Sequence, residues 1–275
     1  MRRFLRFSII VFPITLALFS CNGFLITSSI SDLSESILSS QGEDTSIDSS
    51  ISETSLSESV SSVTSSSISL PTSHEGSSVV SIDGDFTLIS YLDGYAVASY
   101  GGNATTVVIP SSYNEKSILA IGDYLFYENA SILNVTFPDT IISIGLAAFK
   151  GCTQIYSIDL PANLLNIGTD AFSGCTGLSS VTFNNALQTI GNNAFENCPL
   201  STIVLPASLT EIMSRSFADT ALTRVDLLAE IPPLRTDNSF EGCPSSLIYH
   251  VPSSSLNAYQ ADAHWSGFAS DIVSL

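Results

Sequence analysis

Positive charge is scarce in this chain. Eight Lys and Arg stand against 26 Asp and Glu in 275 residues, a formal charge of −18. No basic residue occurs between Arg6 and Lys116. Nucleic acid is excluded as a partner, because phosphate binding needs clustered Lys and Arg. Charged residues of both signs make up 12%, about half the usual ~25%. Histidine is as rare. His74, His250 and His264 are the only three, and none sits in a nucleophile-elbow or metal-binding motif. There is no phosphate loop and no cofactor fingerprint, so no cofactor and no catalytic activity are expected. Long apolar runs are missing beyond the N-terminus. The mean hydropathy of +0.35 therefore does not come from membrane spans, which need about 18 apolar residues each.

Arg2, Arg3 and Arg6 precede an apolar run, Phe7 to Phe19, broken by Ser8, Pro13 and Thr15. The run is too short to span a bilayer and fits the core of a signal peptide. It ends in Leu18-Phe19-Ser20-Cys21. This resembles the bacterial lipoprotein signal, with Leu three before the cysteine and a small residue one before; Phe19 is bulkier than the residue usual there. The resemblance implies cleavage after residue 20 and lipid on Cys21, whose thiolate accepts the diacylglyceryl group. Two or three acyl chains hold a protein stably on a membrane. The alternative is an ordinary signal peptide with an incidental cysteine.

Residues 21–83 read as a disordered stalk. From Ser28 to Val80, serine fills 23 of 53 positions, with no aromatic residue and one proline, Pro71. Such a segment buries too little apolar surface to offset its ordering entropy. As a flexible coil it reaches about 40 Å on average.

Residues 84–275 are expected to form one domain, with an entry segment first, a repeat from residue 119 and a C-terminal cap. Phe126, Phe149, Phe172, Phe195, Phe217 and Phe240 recur at spacings of 23, 23, 23, 22 and 23. Ile121, Ile144, Ile167, Ile190 and Ile212 keep the same beat, and Gly122, Gly145, Gly168 and Gly191 follow four of them. Cys152, Cys175, Cys198 and Cys243 each fall three after a Phe. Then comes an alternating triplet: Val135-Thr136-Phe137, Ile158-Asp159-Leu160, Val181-Thr182-Phe183, Ile203-Val204-Leu205 and Val225-Asp226-Leu227. This period and apolar skeleton predict a leucine-rich-repeat solenoid of mostly β structure. One coil cannot bury its apolar side, but a stack buries a continuous core. Stacked triplets form a short-stranded parallel sheet. Glycine after Ile is expected to supply a free φ for a turn. The far arc is expected to hold turns or 3₁₀ segments. About six coils are expected, with Tyr249-His250-Val251-Pro252 as the last strand and a short helix covering the C-terminal end.

The pattern Ile-Gly-x-x-Ala-Phe-x-x-Cys-x-x-Leu-x-x-Val-x-Leu-Pro, clearest at Ile167-Gly168-Thr169-Asp170-Ala171-Phe172-Ser173-Gly174-Cys175, resembles the BspA-type (Treponema pallidum-type) leucine-rich repeat. The fifth repeat departs most, with Met213 for Gly, Ser216 for Ala and Thr220 for Cys. The resemblance implies a bacterial cell-surface protein, and several such proteins act as adhesins.

The repeat cysteines do not have the close spacing of a zinc site. Either disulfides or a ladder of small buried side chains is compatible with their positions, and the ladder is the expectation. His250 and His264 lie near the C-terminal cap and are weak candidates for a metal pair. Asp159 and Asp226 lie too far apart for an acid–base pair. The remaining functional candidates are the outward side chains on the concave face. These are Asn134, Thr136, Ser157, Asp159, Ser180, Thr182, Thr202, Val204, Arg224, Asp226, Ile248 and His250. Solenoids commonly bind on this face. Its polar, mildly acidic character without an aromatic platform suits a protein or glycan on another cell or matrix. The competing readings are a structural envelope protein without a ligand, and a degenerate hydrolase using His250.

Overall fold

A computed structural model describes residues 85–236 and 238–275, together with backbone strands at β1 (Leu18–Phe19), β2 (Leu25–Ile26) and β3 (Val79–Ile82). Most of the expected signal peptide and of the expected stalk, with Cys21 and His74, lies outside the described residues. β1 and β2 pair antiparallel.

The repeat begins behind an antiparallel lead-in. β3 pairs with β4 (Phe86–Tyr91), and β4 pairs with β5 (Gly94–Tyr100). β3 falls on the stalk side of the boundary expected at residue 84. Beyond β5 the chain winds as a solenoid that crosses two sheets in each coil. The triplets make one. They are β6 (Thr106–Val108), β9 (Asn134–Thr136), β11 (Ser157–Asp159), β13 (Ser180–Thr182), β15 (Thr202–Leu205), β17 (Arg224–Leu227), β19 (Ile248–Val251) and β20 (Ile272–Ser274). β7 (Ser112–Tyr113) pairs antiparallel with β8 (Lys116–Ile121). The repeated Ile residues make the second sheet, running through β8, β10 (Ser143–Ile144), β12 (Asn166–Ile167), β14 (Thr189–Ile190), β16 (Glu211–Ile212) and β18 (Leu234–Arg235).

The second sheet was not expected. Beyond β8 its strands are two residues long, too short for alternation to show in sequence. Its register is regular, with Ile121, Ile144, Ile167, Ile190 and Ile212 in one column. The eight triplet strands give about eight turns rather than six. The additional turns come from β6 at the start and from β20, which follows the cap and pairs in parallel with β19. Tyr249 to Pro252 is therefore not the last strand. The short helix α1 (Leu256–Ala261) and a 3₁₀ segment (Ser266–Asp271) lie between those two strands.

The glycine after each Ile serves a different purpose from the one expected. None of these four has a positive φ. A methyl at Gly168 or Gly191 would sit 2.7 Å from the main chain of the preceding coil. The residue is small because neighbouring coils approach closely. The left-handed positions flank the Phe instead. Two before it stand Tyr124, Ala147, Asp170, Asn193 and Arg215, with φ from 51° to 58°. Two after it stand Glu128, Gly151, Gly174, Asn197, Asp219 and Gly242, all with positive φ. These kinks aim alternate N–H groups of each arc at the next coil. Ala147, Phe149 and Gly151 donate to Thr169, Ala171 and Ser173. The arc is thus itself a hydrogen-bonded ladder, which accounts for its turns in place of a helix.

The core is a file of rings. Phe149, Phe172, Phe195, Phe217 and Phe240 stack nearly parallel, with centroids 5.0 to 5.4 Å apart. Tyr100 and Phe126 extend the file at one end and Tyr249 and Trp265 at the other. The cap adds buried polar anchors. Trp265 Nε1 donates to the Pro233 carbonyl at 2.8 Å and the Tyr259 hydroxyl donates to Ala229 at 2.9 Å. The Arg235 guanidinium lies over the Phe268 ring, 4.2 Å from its centroid.

Candidate functional site

A triplet strand alternates its side chains, so its middle residue enters the core and the two flanking ones leave it. Val135, Ile158, Ile203, Val225 and Tyr249 are buried, and Val181 is half-buried. The residues on either side line the outer surface of the triplet sheet. Asn134, Thr136, Ser157, Asp159, Ser180, Thr182, Thr202, Val204 and Arg224 are exposed, while Asp226, Ile248 and His250 are half-buried.

Backbone register brings some of these together. Ser157 faces Ser180 and Asp159 faces Thr182 on adjacent strands. Thr202 faces Arg224, and Val204 faces Asp226. Asp226 in turn faces His250. The Arg224 guanidinium grips both carboxylate oxygens of Asp226, at 2.8 and 3.0 Å. His250 Nδ1 lies 3.4 Å from the same carboxylate. The Arg224 guanidinium is thus the charged partner of Asp226 on the face.

The triplet sheet is not continuous. No main-chain hydrogen bond joins β9 to β11 or β13 to β15. At the second break a groove of about 330 Å³ opens on the outer face. Its apolar lining includes Phe183, Val204, Pro206 and Leu228, and its polar lining includes Ser180 and Thr202. Sequence reasoning listed the triplets but missed the groove. The signal was there. Cys175 and Leu178 stand three apart, whereas Cys198 and Leu200 stand two apart around Pro199. The missing residue advances β15 by one along the chain, although Ile190 and Ile212 keep register in the other sheet.

The two carboxylates of the face, Asp159 and Asp226, are too far apart to form an acid–base pair. Asp159 and Asp226 lie on β11 and β17, with β13 and β15 between them. His264 is exposed and its backbone N–H bonds to Asp262, while His250 faces Asp226. Among the described residues no group of three or more His, Cys, Asp or Glu is placed to hold a metal ion.

The cysteines are free thiols on the core side of the arc. Each donates to the Phe carbonyl of the preceding coil: Cys152 to Phe126, Cys175 to Phe149, Cys198 to Phe172 and Cys243 to Phe217, at 3.0 to 3.3 Å. Thr220 bonds to Phe217 within its own coil and lies 3.2 Å from Cys243 Sγ. Burial pushes the thiols of Cys152 and Cys198 up to about 12, and raises Cys175 and Cys243 as well. They are structural side chains and poor nucleophiles.

These features match known proteins. The BspA-type leucine-rich-repeat model matches residues 119–247 in six copies. A leucine-rich-repeat protein from T. pallidum is 31% identical, with a TM-score of 0.54, over 62% of this chain and 80% of that one. The chain belongs to the BspA-type leucine-rich-repeat family. A leucine-rich cell-surface protein from Faecalibacterium prausnitzii is 25% identical, with a TM-score of 0.49, over 63% of this chain and 54% of that one. A leucine-rich-repeat protein from Bacteroides ovatus is 22% identical, with a TM-score of 0.47, over 62% and 55%. This BspA-type chain thus spans most of the first relative and about half of the other two. No functionally curated protein matches it. The family match describes a repeat fold and names no catalytic activity. No helix among the described residues is long and apolar enough to cross a membrane.

Proposed function

We propose that this protein is a bacterial surface lipoprotein that binds a protein partner through the outer face of its triplet sheet. Lipid on Cys21 anchors it to the outer face of the cell membrane. The Ser-rich residues after Cys21 act as a spacer, and the solenoid is the binding module. The N-terminal arginines, the short apolar run and the Leu18-to-Cys21 motif support export and lipidation. The surface location named for the Faecalibacterium relative is in keeping with that reading.

The observation that carries the binding role is the composition of the face. From β9 to β15 its outward side chains are Asn, Thr, Ser, Asp and Val, short groups that leave the sheet open. Short side chains lose little rotamer entropy when covered. A partner can therefore approach the sheet without displacing long charged chains. No exposed aromatic residue lies among the triplet positions, which favours a protein over a stacked sugar.

The test is binding of the purified chain to extracellular-matrix proteins, to glycans and to intact cells. Saturable binding to a protein, weakened at least tenfold by Thr136→Lys with Thr182→Lys, is the expected result. Binding only to glycans would replace the protein partner. No binding by folded protein would favour an envelope component without a ligand. The anchor is tested separately. Palmitate labelling of the expressed protein is expected, and loss of label in Cys21→Ser.

A further inference from the structure

We propose that the groove between β13 and β15 seats one aliphatic or aromatic side chain of an extended partner segment, with a Lys or Arg of that segment reaching Asp159. This rests on the reading of the triplet face as the interaction surface, and it names the partner's local chemistry.

Three observations converge on the groove. First, its volume of about 330 Å³ exceeds that of any single side chain, and its lining combines apolar side chains with the hydroxyls of Ser180, Thr182 and Thr202. Val204 is 52% exposed and Leu228 39% exposed. In the column of outward residues from Thr136 to His250, Val204 is the one apolar side chain. An apolar group seated here would remove exposed carbon from water on both partners.

Second, β13 and β15 share no main-chain hydrogen bond. The groove lies at this break, and it is the groove that would give selectivity to a segment crossing the face.

Third, the charge around the groove has one sign free. Positive charge in the solenoid is mostly bound within it. Lys150 pairs with Asp170, Arg215 with Glu196, Asp219 and Glu241, and Arg224 with Asp226. Asp159 is exposed on β11, one strand beyond β13. At a strand spacing of about 4.8 Å, Asp159 lies about 7 Å from the middle of the break. Two residues of extended chain cover that distance. The segment that fits is therefore an apolar residue with a basic residue two positions away. An acidic segment would meet Asp159 and the surplus of carboxylates unfavourably.

The experiment is selection of random linear peptides, displayed on phage, against the full-length protein. Selected peptides are then measured by fluorescence anisotropy against Val204→Lys and Asp159→Lys. Both positions are exposed, and circular dichroism confirms that each variant folds. The expected result is enrichment of peptides with an aliphatic or aromatic residue two places from Lys or Arg. Val204→Lys should weaken them at least tenfold, and Asp159→Lys severalfold with a turn of preference toward Glu. Peptides that bind Val204→Lys as well as the parent, or that lack the spacing, would overturn the groove. So would no enrichment against folded protein. Peptides lost in Thr136→Lys and retained in Val204→Lys would overturn the groove while leaving the face as the interaction surface.

Discussion

Replacing Phe172 by Ala should cost at least about a third of the solenoid's stability. The ring is fully buried and lies between Phe149 and Phe195, with centroids 5.0 and 5.2 Å away and planes within 6°. Removing a buried Phe side chain costs about 3–5 kcal/mol through lost transfer energy and the cavity left behind. The two stacked pairs contribute about 0.5–1.5 kcal/mol each beyond area. Relaxation of neighbouring coils is limited, because each arc is hydrogen-bonded to the next. The expected loss is therefore at the upper end, about 5 kcal/mol, against a typical total of 5–15 kcal/mol. The melting temperature should fall by about 10–20 °C. Phe172→Leu keeps most of the apolar volume without the stacking and should lose about 2–3 kcal/mol. Urea unfolding followed by circular dichroism measures both, and Trp265, the single tryptophan, reports the cap separately. A loss below about 2 kcal/mol for Phe172→Ala would refute the ring file as the core's main support.

Other outcomes follow from the same geometry. Gly168→Ala should cost about 3 kcal/mol by overpacking, since its methyl would meet the Gly145 carbonyl carbon at 2.7 Å. Gly174→Ala has open space and a φ of +70°, so it should cost only about 1 kcal/mol; thermal melts of the two variants decide the order. Tyr259→Phe removes the buried bond to Ala229 and should lower stability by about 1–3 kcal/mol in urea titration. Native protein at pH 8 should leave Cys152, Cys175 and Cys198 unmodified by a thiol reagent, with full reaction only in denaturant. These thiols are held above their unfolded value of about 8.5, so only the unfolded chain ionises as pH first rises. Stability should then be intact below pH ~8.5 and fall between there and pH 12. A flat urea midpoint across that range would contradict the buried ladder.

The family and the core were legible because they rest on long-range periodicity. Six phenylalanines on one beat can only be one column of a stacked coil, and the rings do stack. The column two after each Phe holds Glu, Gly, Gly, Asn, Asp and Gly. That bias toward residues tolerant of left-handed backbone marks the arc, and the glycines after Ile, which look like the turn signal, answer instead to the close approach of the coils. The second sheet was invisible because two-residue strands carry no alternation. β20 was masked by Trp265 and Phe268, which look like a helical cap until Ile272–Ser274 pairs with β19. On the face, sequence located the exposed positions but not their pairing. Asp226 meets Arg224 two residues away on the same strand, but meets His250 only through the register of β17 with β19. The groove lies where the repeat shortens by one residue at Cys198-Pro199-Leu200, and its walls come from residues on both sides of the break.

The measurement that tests the central claim most directly is saturable binding of the full-length protein to a matrix or cell-surface protein, repeated with Thr136→Lys and Thr182→Lys together. These positions lie on β9 and β13 and point away from the core, so the fold should survive the change. The account predicts binding by the parent and at least a tenfold loss in the variant. Equal binding by a folded variant would contradict the triplet face as the site of interaction.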